Sequence, residues 1–396
     1  MGLALRKSKK LFLKYKQSEN LLKKLFLRFH KFDQVNNFMH LINTNLLKSV
    51  FKDLKSTSLK RRYSSNLDIN LNKLLIKLKA GKFKYSKKLR EIKVMKADGS
   101  MRIVYEQSIE EKIIDKTLYV ILSLYYESQF QDFSFAYRIG KSTKHAIQYL
   151  IRKIYINKLK FLYKIDIEKF FDNIDANLVK KLLSNKFKDR SFIKLLQSRF
   201  PDKSNQKIQG TVLGALISNF FADLVIDTWF SEAMCNRKIM ITRYSDDLII
   251  GSNNIEDLEL SFSVLKKRLS NFKLNINSDK VEFIDLEKPS FVFLGYQVSR
   301  YRNRLQITTP VETIGKVIDK LREFMSDENL SHTERIYKVN NLVRTHIDYF
   351  YFQNNLDNLE YVLRISHFII TRFILTNNYL LSRYTDFSLL PAIPQQ

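Results

Sequence analysis

Two short apolar runs, Ile239 to Tyr244 and Leu248 to Gly251, flank the residues Ser245, Asp246 and Asp247. Runs of this length on either side of a brief polar break read as a β-hairpin. The turn then pushes both carboxylates out of the sheet, while the flanking strands hold the backbone beneath them. Adjacent carboxylates repel, and each resists ionising unless a cation sits beside it. Hard oxygen donors suit Mg²⁺, which takes one or two protein carboxylates together with substrate phosphates. A solvated Asp-Asp turn is common, however, so the pair needs a companion.

Leu162-Tyr-Lys-Ile-Asp166 supplies one: an apolar strand that ends in an acid and runs into Ile167-Glu-Lys-Phe170-Phe171. At a strand end, Asp166 can give a third carboxylate to the hairpin pair. Two cations about 4 Å apart on such a set can activate a hydroxyl and stabilise a leaving pyrophosphate.

Charge points to what this chemistry acts on. The 396 residues carry 68 Lys and Arg against 40 Asp and Glu, a net +28. A surplus of this size calls for a polyanion, with nucleic acid first and an anionic membrane surface second. Apolar stretches such as Leu118 to Tyr126 fall short of a spanning helix, so no membrane partner is expected. The one cysteine, Cys235, excludes an internal disulfide and a cysteine-built zinc site, and the six His show no ligand spacing. A cytoplasmic protein is the expectation.

Residues 1–90 read as basic helices, poor in Gly and Pro. The period then changes: Glu91 to Lys96, an Asp98-Gly99 turn, and Met101 to Tyr105 form a hairpin pattern. Ile109, Ile113, Ile114, Leu118 and Ile121 share one helical stripe. Strands are predicted at Phe161 to Ile167, over the two runs beside Asp246, and at Phe291 to Val298. Beyond Pro310 the pattern is helical, with Ile314, Val317, Ile318 and Leu321 on one face. Ser331 and Glu334 form a capping-box pattern. The predicted class is α+β.

Taken in order, these motifs resemble those of reverse transcriptases, in the bacterial branch of group II intron proteins and defence-associated relatives. The resemblance covers roughly Lys82 to Tyr351. Lys96-x-Asp-Gly-x-x-Arg102 is similar to a fingers hairpin whose cations grip the incoming triphosphate. Phe133-Ser-Phe-Ala-Tyr-Arg138-x-Gly-Lys-Ser142 looks like the family's Phe-x-Pro-Gly-Arg-Ser element, with Ile139 in place of proline. Gln209-Gly210 resembles the pair lining the nucleotide pocket. Leu213 to Asn219 matches the helix that follows, with Gly214-Ala215 where Ser-Pro is frequent. Leu274-x-Ile276-x-x-x-Lys280 is similar to the motif whose lysine approaches the triphosphate. Phe293-Leu-Gly295-Tyr296 resembles a primer grip.

The resemblance implies a right-hand polymerase fold. Residues 1–90 form a basic helical region, residues 91–305 the fingers and the palm (an antiparallel sheet plus helices), and residues 306–396 a helical thumb. It implies catalysis by Asp166, Asp246 and Asp247, with two Mg²⁺ ions, or Mn²⁺ in their place, bound there and at Ile167. Nucleotide contacts fall to Lys96, Arg102, Arg138, Phe170, Gln209 and Lys280. Phe170 is the expected steric gate against a 2′-hydroxyl, with Phe171 the alternative. The implied partners are an RNA template, a dedicated non-coding RNA, dNTPs, a DNA product, and a second copy or an accessory protein. The family's retron-type members carry a Val-Thr-Gly in the tail, which this sequence lacks, and no endonuclease module follows the thumb-like helices. A free-standing polymerase in antiviral defence is therefore the first expectation. An intron-type maturase and an RNA-dependent RNA polymerase are the alternatives.

Overall fold

The computed structural model describes residues 38–54, 57–86, 90–95, 101–127, 129–138, 140–199, 211–234, 237–288, 290–302, 304–351, 363–368 and 371. The chain divides into two compact units, Met1–Ile284 and Asp285–Gln396. Small antiparallel sheets set among helices make it an α+β protein.

In the first unit, helices Thr44–Asp53, Ser58–Ser64 and Leu67–Lys79 precede a hairpin of β1 (Arg90–Met95) and β2 (Met101–Glu106). Met95 pairs with Met101, so residues 96–100 close this hairpin. That connection, with Lys96 and the Asp98-Gly99 turn, lies outside the described residues. Helix Ile109–Tyr126 begins at a complete capping box, with Ser108 and Glu111 satisfying each other's backbone N–H groups. Its apolar stripe enters the main core.

The sheet that matters most has four strands in the order β4 (Met240–Tyr244), β5 (Asp247–Ser252), β3 (Phe161–Asp166) and β6 (Glu282–Asp285). Met240 to Arg243 and Leu248 to Ser252 are buried without a break. That explains why both runs are almost continuously apolar: successive residues are buried on either side of each strand, so neither strand needs a polar side. Helix Ile255–Ser270 contributes Leu258, Leu265 and Leu269 to the same core.

A long helix runs from Val212 through Ala233, broken by one π turn at Asp223–Asp227. By length and composition, Leu213–Ala233 could cross a membrane, and most of it is buried inside the protein. The sequence had no apolar run that long. Asp223 and Asp227 interrupt the run of letters without interrupting the helix, and burial in a core selects the same apolar residues that lipid would.

In the second unit, β7 (Ser290–Phe293), β8 (Tyr296–Tyr301) and β9 (Arg304–Thr308) form a three-stranded antiparallel sheet. The single strand expected over Phe291 to Val298 is therefore two. Leu294 (φ 52) and Gly295 (φ 82) reverse the chain in a two-residue turn, a geometry open to glycine. Helices Val311–Ser326 and His332–Tyr351 pack through Ile314, Val317, Leu321, Val339 and Val343. Ser331 and Glu334 make the expected capping box, with Glu334 N–H donating to Ser331 Oγ at 3.3 Å and Ser331 N–H to Glu334 Oε2 at 3.0 Å.

Gly251 lies opposite Leu162 in the β5–β3 pairing, and a Cβ there would meet Leu162 Cδ2 at 2.6 Å and Met240 Cε at 3.1 Å. Both neighbours are core side chains with little room to give. Gly251→Ala should therefore cost about 1–3 kcal/mol of stability by overpacking. Denaturant titration measures this, and a wild-type midpoint would show that the ends of the Leu162 and Met240 side chains yield without cost.

Candidate active site

Backbone register assembles the site. Asp166, the last residue of β3, lies directly opposite Asp247, the first residue of β5, and Tyr244 at the end of β4 pairs with the same Asp247. Ser245 and Asp246 are left as a two-residue turn. Ser245 takes φ 62, the positive value that tight hairpin turns require at their first position. Neighbouring strands lie about 4.8 Å apart, so the pairing sets three carboxylates at one end of the sheet.

Their electrostatics follow from this crowding. The Asp247 carboxyl is pushed up to about 6, first by burial, then by the charges of Asp246 and Asp166. Asp246 is also raised, chiefly by burial and further by Asp166. Hydrogen bonds from its own backbone N–H and the Ser245 hydroxyl, and the charge of Lys280, act against this rise.

Lys280 reaches the cluster through a second pairing. Glu168 N–H donates to the Asn275 carbonyl at 2.8 Å, and Asn277 N–H to the Asp166 carbonyl at 2.9 Å, around a bridge between Ile167 and Ile276. The following 3₁₀ turn, Ser278–Lys280, brings Lys280 Nζ to 3.2 Å from Asp166 Oδ2. Lys280 is 62% exposed, so this contact is weakly held and easily exchanged.

Among the described residues, no three His, Cys, Asp or Glu side chains already converge as a metal cage. The donor chemistry nonetheless fits a hard dication. Burial and mutual repulsion penalise ionisation of Asp246 and Asp247, and a cation removes that penalty. Ile167 is buried and offers only its backbone. The bonds around its bridge belong to Asp166 and Glu168, which leaves the Ile167 carbonyl on the other edge of the chain.

Other expected positions fall differently. Arg138 is 6% exposed. Its guanidinium pairs with Glu127 Oε1 at 2.9 Å and donates to the carbonyls of Gln131 at 2.8 Å and Ser134 at 2.6 Å. Moving this guanidinium to a phosphate would leave Glu127 without its partner, so Arg138 as placed braces the fold. Phe170 is 3% exposed within the core, its ring 6.3 Å from that of Phe221. Lys169, at φ 44, turns the chain into the short helix Phe170–Asn173 and sends Phe170 inward. Phe171 is only half-buried, at the margin of the same core. Of the two rings, only that of Phe171 remains partly exposed. Gln209 and Lys96 lie outside the described residues; Arg102 is placed by its backbone in β2. The sequence reading passed over Arg243 and Asp227, both fully buried behind the turn. Its legible signal was a lone arginine inside an otherwise apolar strand.

Residues 94–298, just over half of the chain, match the family described as reverse transcriptase (RNA-dependent DNA polymerase). The chain belongs to the reverse transcriptase family. The match runs from β1 into β8 and takes in Asp166, Asp246, Asp247 and Lys280. The chain is 29% identical over 164 residues to the Putative COX1/OXI3 intron 2 protein of Saccharomyces cerevisiae, covering 39% of this chain and 19% of that protein. It is 21% identical over 298 residues to Protein YkfC of Escherichia coli, covering 63% and 75% of the two chains. Identity to the Retron Ec83 reverse transcriptase of Escherichia coli is 27% over 202 residues, covering 48% and 62%. The alignments span only 19% and 25% of the length of two yeast intron proteins.

A reverse transcriptase with this carboxylate cluster should be strained when metal-free. The folded Asp247 carboxyl titrates near 6, above its unfolded value. Its ionisation therefore costs stability at higher pH, and the cost fades as pH falls through 6 towards the ordinary carboxylate range. In metal-free buffer near pH 7.5, Asp247→Asn should be more stable than wild type by about 1–2 kcal/mol, a gap that closes towards about pH 4. Added Mn²⁺ should raise the melting midpoint of wild type more than that of the variant. A variant no more stable than wild type at the higher pH would contradict the repulsion described here.

Proposed function

We propose that this protein is an RNA-templated DNA polymerase that adds dNTPs to a primer 3′ end. One observation carries the reading: strand register sets Asp166 opposite Asp247, with Asp246 in the turn beside them. Asp166, Asp246 and Asp247, with the Ile167 carbonyl, would hold Mg²⁺ or Mn²⁺. Bound there, two such ions would supply activation of the primer hydroxyl and charge stabilisation on the leaving pyrophosphate. Lys280, exposed and loosely paired with Asp166, is free to turn its ammonium towards a triphosphate.

In this reading the four-stranded sheet is the palm and the β1–β2 hairpin belongs to the fingers, with Lys96, Arg102 and Gln209 around the nucleotide. Residues 306–396 form the thumb. The basic residues 1–90 add affinity for RNA through its phosphates, consistent with the net charge of +28. The likeness to a retron reverse transcriptase supports the polymerase activity, and the setting proposed for it is synthesis on a dedicated non-coding RNA in antiviral defence. The likeness to intron proteins favours a second reading, an intron-encoded protein that binds its own RNA.

Primer extension on an RNA template tests the activity and the gate together. Wild type should incorporate dNTPs, and Asp166→Asn and Asp246→Asn should give no product above a blank while still binding RNA. Phe171→Ala should raise rNTP incorporation by about tenfold or more, because the ring excludes the extra hydroxyl by packing. Phe170→Ala should mainly destabilise the fold, by about 3–5 kcal/mol. A wild type that prefers rNTPs, or active Asp variants, would defeat the proposal.

A further inference from the structure

Arg243 directly precedes the Tyr244 that ends β4, and its side chain and that of Asp227 are both 0% exposed. The two form a forked pair. Arg243 Nε donates to Asp227 Oδ1 at 2.6 Å, and Nη2 to Asp227 Oδ2 at 2.6 Å. Nη2 also donates to Ser134 Oγ at 2.6 Å, and Nη1 to the carbonyl of Ser245 at 3.0 Å. All three nitrogens of the guanidinium are engaged, and one of them holds the backbone of the catalytic turn.

Core packing alone does not call for this. An ion pair withdrawn completely from water gains little over apolar side chains of similar volume, because desolvation offsets the attraction. An apolar side chain, however, could not bind the Ser245 carbonyl. Ser245 sits at φ 62, which a residue with a Cβ adopts reluctantly. Its carbonyl belongs to the peptide that leads into Asp246, so fixing that peptide plane fixes where the Asp246 carboxylate emerges.

The anchors behind Arg243 are equally well braced. Asp227 ends the π turn Asp223–Asp227 in the long buried helix, a local widening of a kind found most often at functional sites. Ser134 lies beside Arg243 in a parallel bridge, with Phe135 N–H on the Arg243 carbonyl at 3.0 Å and Arg243 N–H on the Phe133 carbonyl at 2.9 Å. The Ser134 carbonyl in turn accepts from Arg138 at 2.6 Å, and Arg138 pairs with Glu127. A continuous chain of contacts, buried at Arg138, Ser134 and Arg243, thus runs from the half-buried Glu127 to the turn.

We propose that Arg243, clamped by Asp227 and Ser134, is a positioning residue that sets the geometry of the Asp246 turn for metal binding and nucleotide transfer. This rests on the polymerase reading above. The conservative variant Arg243→Lys keeps a cation for Asp227 and loses the planar fork that reaches Ser134 and Ser245 together. Ser134→Ala removes only one hydroxyl.

With the full-length chain, Arg243→Lys should lower kcat for single-nucleotide addition about tenfold to a hundredfold, as expected for a small misplacement of a reacting group. KM for dNTP should stay within about threefold, since substrate contacts are untouched. Mn²⁺ affinity, measured by titration calorimetry against an Asp246→Asn blank, should fall in the same variant. Ser134→Ala, which strands one Arg243 N–H and the Asn219 amide oxygen, should fold with a modestly lowered melting midpoint and show a smaller loss of kcat, so the test stands even where Arg243→Lys fails to fold. Wild-type kcat and Mn²⁺ affinity in the folded variants would overturn the inference, as would losses that merely track melting midpoints across Arg243→Lys, Ser134→Ala and Asp227→Asn. A wild type that incorporates no nucleotide would instead defeat the polymerase reading, and the Mn²⁺ titration would still decide the role of Arg243.

Discussion

The pairing of β3 with β5 brings Asp166 and Asp247 opposite each other, and the turn of the neighbouring strand adds Asp246. Left to themselves, three carboxylates would move apart or take up protons. Here the ladder of backbone hydrogen bonds and the buried faces of both strands resist that separation. Repulsion and burial appear instead as raised carboxyl pKa values at Asp246 and Asp247, whose ionisation is resisted. A cluster held in this way is a standing attraction for hard cations, and much of the first unit can be understood as the scaffold that keeps it closed.

That scaffold is layered. With β4 and β5 buried almost throughout, polar-apolar alternation does not set their register, and particular contacts must do so. Gly251 permits the close approach of Leu162, and helix Ile255–Ser270 seals the sheet. The segment around Ile276 adds two backbone bonds beyond the end of β3, and these carry Lys280 to the cluster. The contrast with Arg243 is instructive. One cation is exposed and exchangeable beside the carboxylates, while the other is buried, forked and fixed behind them. Exposure alone suits the first to a mobile substrate and the second to the frame.

Several features were open to reading from residue order. Asp-Asp between apolar runs, an acid at the end of another apolar run, and a lysine soon after are local patterns, and local patterns survive in sequence. The capping box at Ser331 and Glu334 was legible for the same reason, since its partners lie three residues apart. The reversal at Leu294-Gly295 was harder, because a leucine at positive φ gives no warning in its side chain. Helix Leu213–Ala233 was hidden by Asp223 and Asp227, acids whose partners sit far along the chain.

Sequence by itself determined the chemical inventory: three aspartates at the ends of apolar runs, a cationic surplus, and much of the succession of helices and strands. These depend on side-chain type and on spacings of a few residues. Only the tertiary structure decided which side chains face the chemistry. It turned Phe170 into the core and left Phe171 at its margin, placed Arg138 on Glu127, and set Arg243 between Asp227 and Ser245. Arg243 and Ser134 are 109 positions apart, and no periodicity spans such a distance. The direction of a ring or a guanidinium is settled by what packs against it, and that is known only once the chain has closed on itself.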